Sequence, residues 1–159
     1  MTIQPDESEH GGQTVTGEGW PHIDEDVIAG IAQTFEDLAD HIRDEVVSNA
    51  SRQKMALADR WEGSGAQSAL EEAGRIVSEH EKSESAAKAV ASKLRRMEFA
   101  IAVAKTLANQ TAEAVQRDCE AIEKESAPPE GQEDTRQGRI DKRILEGLNE
   151  NTRLASIHR

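Results

Sequence analysis

Tyrosine is missing from the 159 residues, and two tryptophans with two phenylalanines supply the whole aromatic content, 3% of the chain. So few large rings cannot fill a thick globular core, and the side chains that favour strands are scarce. A sheet is not expected. The single cysteine, Cys119, excludes an intrachain disulfide, and its neighbours Asp118 and Glu120 work against a reactive thiolate. No run of 18 apolar residues is present, and the N-terminus lacks the basic-then-apolar layout of a secretory signal peptide. The expectation is of no membrane insertion and no use of the general secretory route. Positive charge is also in deficit, with 31 acidic residues against 19 basic ones and a formal charge of −12. Such a chain repels nucleic acid and anionic lipid, both of which require clustered lysine and arginine.

What is abundant is helix-forming. Ala, Glu, Lys, Arg and Gln dominate, and the expected fold class is all-α. Residues 1–19 carry Gly, Glu, Gln, Thr and Pro without periodicity, which predicts a disordered N-terminal tail. Behind Trp20-Pro21, the acids Asp24-Glu25-Asp26 complement the positive end of a helix, with Asp24 placed to accept from its free N–H groups. Val27, Ile28, Ile31, Phe35, Leu38, Ile42 and Val46 then recur at helical spacing on one face, and Ala50, Leu57 and Trp61 extend it weakly. The polar stretch 48–53 is a place for this helix to loosen or kink. Gly63-Ser64-Gly65 ends the pattern, suiting a turn with positive φ, and Ser64 is placed to cap the next helix.

A second, much longer periodic stretch begins at Ala66. Leu70, Ala73, Val77, His80, Glu84, Ala87, Ala91, Leu94, Glu98, Ile101, Ala104, Ala108, Thr111, Val115, Cys119 and Ile122 continue it in steps of three and four, as in a coiled-coil seam. Val90, Met97 and Leu107 widen the stripe, and residues 80–85 interrupt its apolar character. Alanine at so many seam positions favours close helix approach and a long antiparallel helical hairpin over residues 20–125. The first helix is too short to cover the second, so a third helix, a second copy or a partner is expected on the remainder. Leu94, Met97, Ile101, Leu107, Val115 and Ile122 are the candidate partner-binding seam. Pro128-Pro129 ends the long helix, and residues 126–159 read as a Pro-rich linker with a short amphipathic helix or tail carrying Ile140, Ile144, Leu145, Leu148, Leu154 and Ile157.

Nothing in the pattern points to chemistry. His10, His22, His41, His80 and His158 show no zinc-site spacing, and no metal or cofactor is expected. Paired acids such as Glu71-Glu72 lack the pocket that tunes a catalytic carboxylate, so no catalytic residue is assigned and no enzyme is expected.

Trp61-Glu62-Gly63 lies in the bend between two long helices, and the small-residue sequel Ser64-Gly65-Ala66-Gln67-Ser68-Ala69 opens the second of them. In this arrangement the chain resembles the WXG-motif helical hairpin family of type VII (ESX) secretion. The opening Trp20-Pro21-His22-Ile23-Asp24-Glu25-Asp26 is similar to a WXG-like domain at the N-terminus of large actinobacterial secreted toxins. The resemblance covers about residues 20–125. It implies a secretion substrate or targeting domain that is cytoplasmic before export and secreted through the type VII system. It also implies a protein partner: a homodimer or heterodimer with a small helical WXG-type protein, and contact with secretion machinery or a chaperone. The chain departs from the family in its longer second helix. It also lacks the export signal of a tyrosine followed four positions later by an acid. Phe35 and Phe99 do not replace it, since Ala39 and Val103 stand four positions on. An export signal is then expected on a partner. A self-associating coiled-coil scaffold unrelated to secretion is the alternative, and treats the Trp-Glu-Gly turn as coincidence.

Overall fold

The computed structural model describes residues 1–60 and 63–157, apart from the side chains of Leu57 and Arg60. Among the described residues all regular structure is helical, in agreement with the all-α expectation. Two short 3-10 turns, Gly11–Val15 and Gly17–Gly19, precede α1 (Glu25–His41). A π-helical segment, Ile42–Val47, leads into α2 (Ser48–Arg60), and after it come α3 (Ser64–Glu123) and α4 (Arg136–Ser156).

Helix α3 runs unbroken for 60 residues. It contains no proline, and its only glycines are Gly65 and Gly74. It stops shortly before Pro128-Pro129, which cannot continue a helix. The distortion expected at residues 48–53 falls instead just before them. Both the backbone N–H of Ser48 and its hydroxyl donate to the Arg43 carbonyl, the hydroxyl at 2.9 Å. That reach of five residues is the π pattern, and the serine side chain reinforces it.

The chain divides into two compact units, one of Met1–Asp26 with Glu98–Arg159 and one of Val27–Met97. Residues 20–125, expected as one hairpin, contribute to both units.

In the Val27–Met97 unit, α3 contacts both α1 and α2. Arg95 of α3 donates to Glu36 of α1 at 2.8 Å and to Gln33 at 3.2 Å. Toward the other end of the unit, Gly74 of α3 stands against the Lys54 side chain of α2. The buried line of α1 is Ile28, Ala32 and Ala39, with Phe35 half-buried, and it meets a helix whose own buried residues are Ala66, Ala87 and Ala91. The apolar face is thus turned from the expected one, leaving Val27, Ile31 and Leu38 exposed.

In the other unit, residues 1–19 are an ordered arm, not the disordered tail their composition predicts. Thr14 and Val15 are buried, and Val15 joins Trp20, Ala108 and Ala112 in one apolar cluster. The glycines that suggest disorder serve close approach here. A Cβ on Gly11 would fall 2.1 Å from the Ala112 carbonyl oxygen, and one on Gly19 would fall 2.3 Å from that of Thr14. Helix α4 packs on both 3-10 turns and on α3, with Ile140 closing a second cluster around Val115 and Cys119. Residues 136–156 are therefore a full helix of 21 residues that completes this unit, longer than the short helix or tail expected.

Candidate functional site

Of the expected turn motif, Trp61 and Glu62 lie outside the described residues. Gly63 adopts φ +105, a left-handed value that a side chain rarely tolerates, and its carbonyl accepts the Gln67 N–H at 3.0 Å. Gly63 thus receives the first helical hydrogen bond, and Ser64, expected as the cap, is instead the first residue of α3. Gly65 is helical and has no positive φ.

The expected partner-binding seam separates into two groups. Ile101 and Val115 are fully buried within the chain, and Ile122 is packed against the Val115–Cys119 cluster. The arm and α4 cover this part of α3, where a third helix, a second copy or a partner was expected. Leu94 is half-buried, while Met97 and Leu107 are exposed. The exposed apolar residues near them form different stripes from the one expected. In the Val27–Met97 unit, Ile76, Val90 and Met97 stand at multiples of seven along α3. In the other unit, Phe99, Val103 and Leu107 stand four apart, with Phe99 72% exposed. A groove of about 550 Å³ runs beside Leu107, Thr111 and Ala114 of α3 and Leu154 and Ile157 of α4, with Arg143 and Arg153 at its polar edge. Apolar floors with charged rims are suited to receiving a helix from another chain.

Several polar constellations hold the arm, among them Asn109 of α3, which accepts from the Asp6 N–H at 2.8 Å and donates to the Gln4 carbonyl at 2.9 Å. Glu25, in the first turn of α1, is buried and accepts from Lys105 Nζ at 2.6 Å and from the Ile3 backbone N–H at 2.5 Å. Burial raises its pKa, but the Ile3 N–H and the Lys105 ammonium lower it further, and the net shift is downward. Lys105 also sits 5.6 Å from the centre of the Trp20 ring, a cation–π distance. Asn151 of α4, with no exposure, donates to the backbone carbonyls of Thr14 at 3.1 Å and Ala108 at 3.2 Å. One side chain therefore joins arm, α3 and α4. Finally, His10 Nε2 pairs with Glu123 at the end of α3, and Glu9 lies beside them. Sequence spacing could not reveal this group, because Glu123 is 113 positions from His10. Cys119 is buried, and burial pushes its thiol pKa up, as befits a small core residue.

No family model matches the chain, and no solved structure matches it. The sequence is 60% identical over 156 residues to an uncharacterized protein of Mycolicibacterium smegmatis (strain MKD8). The match covers 98% of this chain but only 21% of that relative, so the chain spans about a fifth of the relative's length.

Proposed function

We propose that the chain is a non-enzymatic helical module of type VII secretion, a substrate or targeting domain that works through helix-on-helix contact with a protein partner. Supporting this reading is the turn residue Gly63, at φ +105 between α2 and α3, together with the hydrogen bond from Arg95 of α3 to Glu36 of α1. A WXG-type helical hairpin requires a turn at the same point. Exposed apolar stripes beside a charged rim supply a surface for a helical partner. The long mycobacterial relative fits a module carried on a larger polypeptide.

Epitope-tagged chain, co-expressed with the small helical proteins encoded beside it, is to be followed in a mycobacterial host with an intact or an inactivated type VII system. Appearance in the culture filtrate only with the intact system is expected. Equal amounts in both filtrates, or retention in the cell in both, would overturn the proposal.

A self-associating scaffold is the second reading, favoured by the heptad spacing of exposed Ile76, Val90 and Met97. Light scattering together with the export assay distinguishes it: a scaffold forms a stable homo-oligomer at micromolar concentration and stays out of the filtrate, whereas a secretion module, homodimeric or not, appears there.

A further inference from the structure

The pairing of His10 with Glu123 leaves one negative charge beside it unbalanced. The carboxylates of Glu9 and Glu123 and the imidazole of His10 each present an atom within 4.8 Å of the others. Among the described residues, no lysine or arginine pairs with either carboxylate. Two carboxylates drawn this close repel each other, and in a chain of formal charge −12 the surroundings do little to relieve them. An imidazole carries at most one positive charge and so cannot neutralise both. A dication neutralises both.

The geometry is also held in advance. The backbone N–H groups of His10 and Gly11 both donate to Gln116 Oε1, at 2.7 and 3.1 Å. Gln116 lies seven residues before Glu123 on α3, so the anchor and the ligand share one helix face. His10 itself is about nine-tenths buried, whereas Glu9 is exposed and free to adjust. Ligand atoms about 2.0–2.2 Å from a tetrahedral zinc stand roughly 3.4 Å apart, which a small rotation of the two glutamates achieves. One nitrogen and two oxygens, with a fourth position open to water, suit a zinc-like ion better than magnesium, which prefers six oxygens.

We propose that Glu9, His10 and Glu123 form a binding site for a divalent transition-metal ion of the zinc class, which fastens the N-terminal arm to the end of α3. The site binds independently of any role in secretion.

The test is isothermal titration of the chelator-treated full chain with zinc chloride, with magnesium chloride as the contrast. One equivalent of zinc with a micromolar Kd is expected, together with a higher Tm and no displacement by millimolar magnesium. Loss of a metal's outer-sphere partner already weakens binding about 10–100-fold, so removing a direct ligand must weaken it at least about tenfold. Glu9→Gln, at an exposed position that cannot unfold the protein, is expected to show that loss, as is His10→Gln. Zinc binding that is absent below about 100 µM, or unchanged in Glu9→Gln, would overturn the proposal whatever happens to the folding of His10→Gln.

Discussion

Lys105 reaches Glu25 across 80 positions of sequence, and the two meet at 2.6 Å with both side chains almost wholly withdrawn from solvent. The Ile3 N–H completes the carboxylate's coordination, and the Trp20 ring lies beside the ammonium. A buried pair of this kind contributes little over an apolar replacement, but losing one member strands a charge in a dry site. Lys105→Met is therefore expected to destabilise the unit of residues 1–26 and 98–159 by about 3–5 kcal/mol. The double variant Glu25→Leu/Lys105→Met should recover most of that loss. Urea unfolding of the four proteins of this cycle makes the comparison, and a double loss equal to the sum of the two single losses would show that the pair is not coupled.

Glu25 also sets a pH dependence. Burial raises its pKa, the hydrogen bonds from Ile3 and Lys105 lower it more, and the folded value ends below the ordinary one. The unfolded chain therefore binds the proton more readily than the folded one. The pair's stabilisation is complete above an ordinary glutamate pKa of about 4.3 and is lost as pH falls through the folded value. Glu36, Asp44, Glu72, Glu125 and Asp134 shift in the same direction through their arginine partners, Asp134 to about 2. These are exposed, and screening limits what each contributes. Urea midpoints are expected to stay level from pH 7 to 5 and to fall from pH 4 to 2. The fall should be shallower in the Glu25→Leu/Lys105→Met variant, which lacks the buried carboxylate.

The arm offers a cleaner separation of local from global order. Gly11 lies so near α3 that an added Cβ would sit 2.1 Å from the Ala112 carbonyl oxygen, a backbone atom that cannot turn aside. Gly11→Ala is expected to lift residues 8–15 away from the helix. Amide exchange at Thr14 and Val15 should rise by at least about tenfold, while far-UV circular dichroism changes little, because the long helices hold most of the backbone. Unchanged protection at Thr14 would mean that the arm does not rest on α3.

How far the fold could be read from sequence differs sharply between these elements. The seam of α3 was legible: Ala66, Ala87, Ala91, Ile101, Ala104, Ala108, Val115 and Cys119 are all buried at their predicted three- and four-residue steps. Periodicity reports which face of a helix is covered. It is silent on what covers it. Beside Val15, Trp20 and Ile140, the cover in the unit of residues 1–26 and 98–159 comes from Thr14, Gly19, Gly147 and Asn151, small or polar residues that carry no hydropathy signal. Their value lies in close approach and in hydrogen bonds formed across the fold. A segment using glycine for contact has the same composition as one using it for freedom, and so residues 1–19 read as disorder. The His10–Glu123 pair was hidden for another reason, since its members are brought together only by the packing of the arm on α3.

Gly63 is where the turn motif meets a measurable strain. At φ +105 a Cβ has ample space, so the cost of a side chain there is conformational and not steric crowding by neighbours. Gly63→Ala is expected to destabilise the Val27–Met97 unit by about 1–3 kcal/mol. Thermal melts and amide exchange in α2 should both register it. Ser64→Ala, one position on, should change little, since Ser64 is exposed and helical. Equal effects from the two would place the constraint in the serine.

Phe99, Val103 and Leu107 line one exposed stripe of α3, and their exposure is not explained by folding of the chain that carries them. Replacing one with glutamate places a charge where a helical partner would bury apolar surface, and burying that charge unpaired is costly. Stability should fall by no more than about 1 kcal/mol, because Phe99 is largely in water and Leu107 is partly so. Association is expected to weaken by at least about tenfold, equivalent to about 1.4 kcal/mol, in the double variant Phe99→Glu/Leu107→Glu. Sedimentation of the chain alone and with a co-purifying helical partner makes the measurement. Ile101→Ala is the contrast: it removes a side chain covered within the chain and should cost about 2–5 kcal/mol of stability. If association survived the two glutamates but failed in Ile101→Ala at temperatures where that variant is still folded, the docking surface would lie in the seam beneath the arm and not on the exposed stripe.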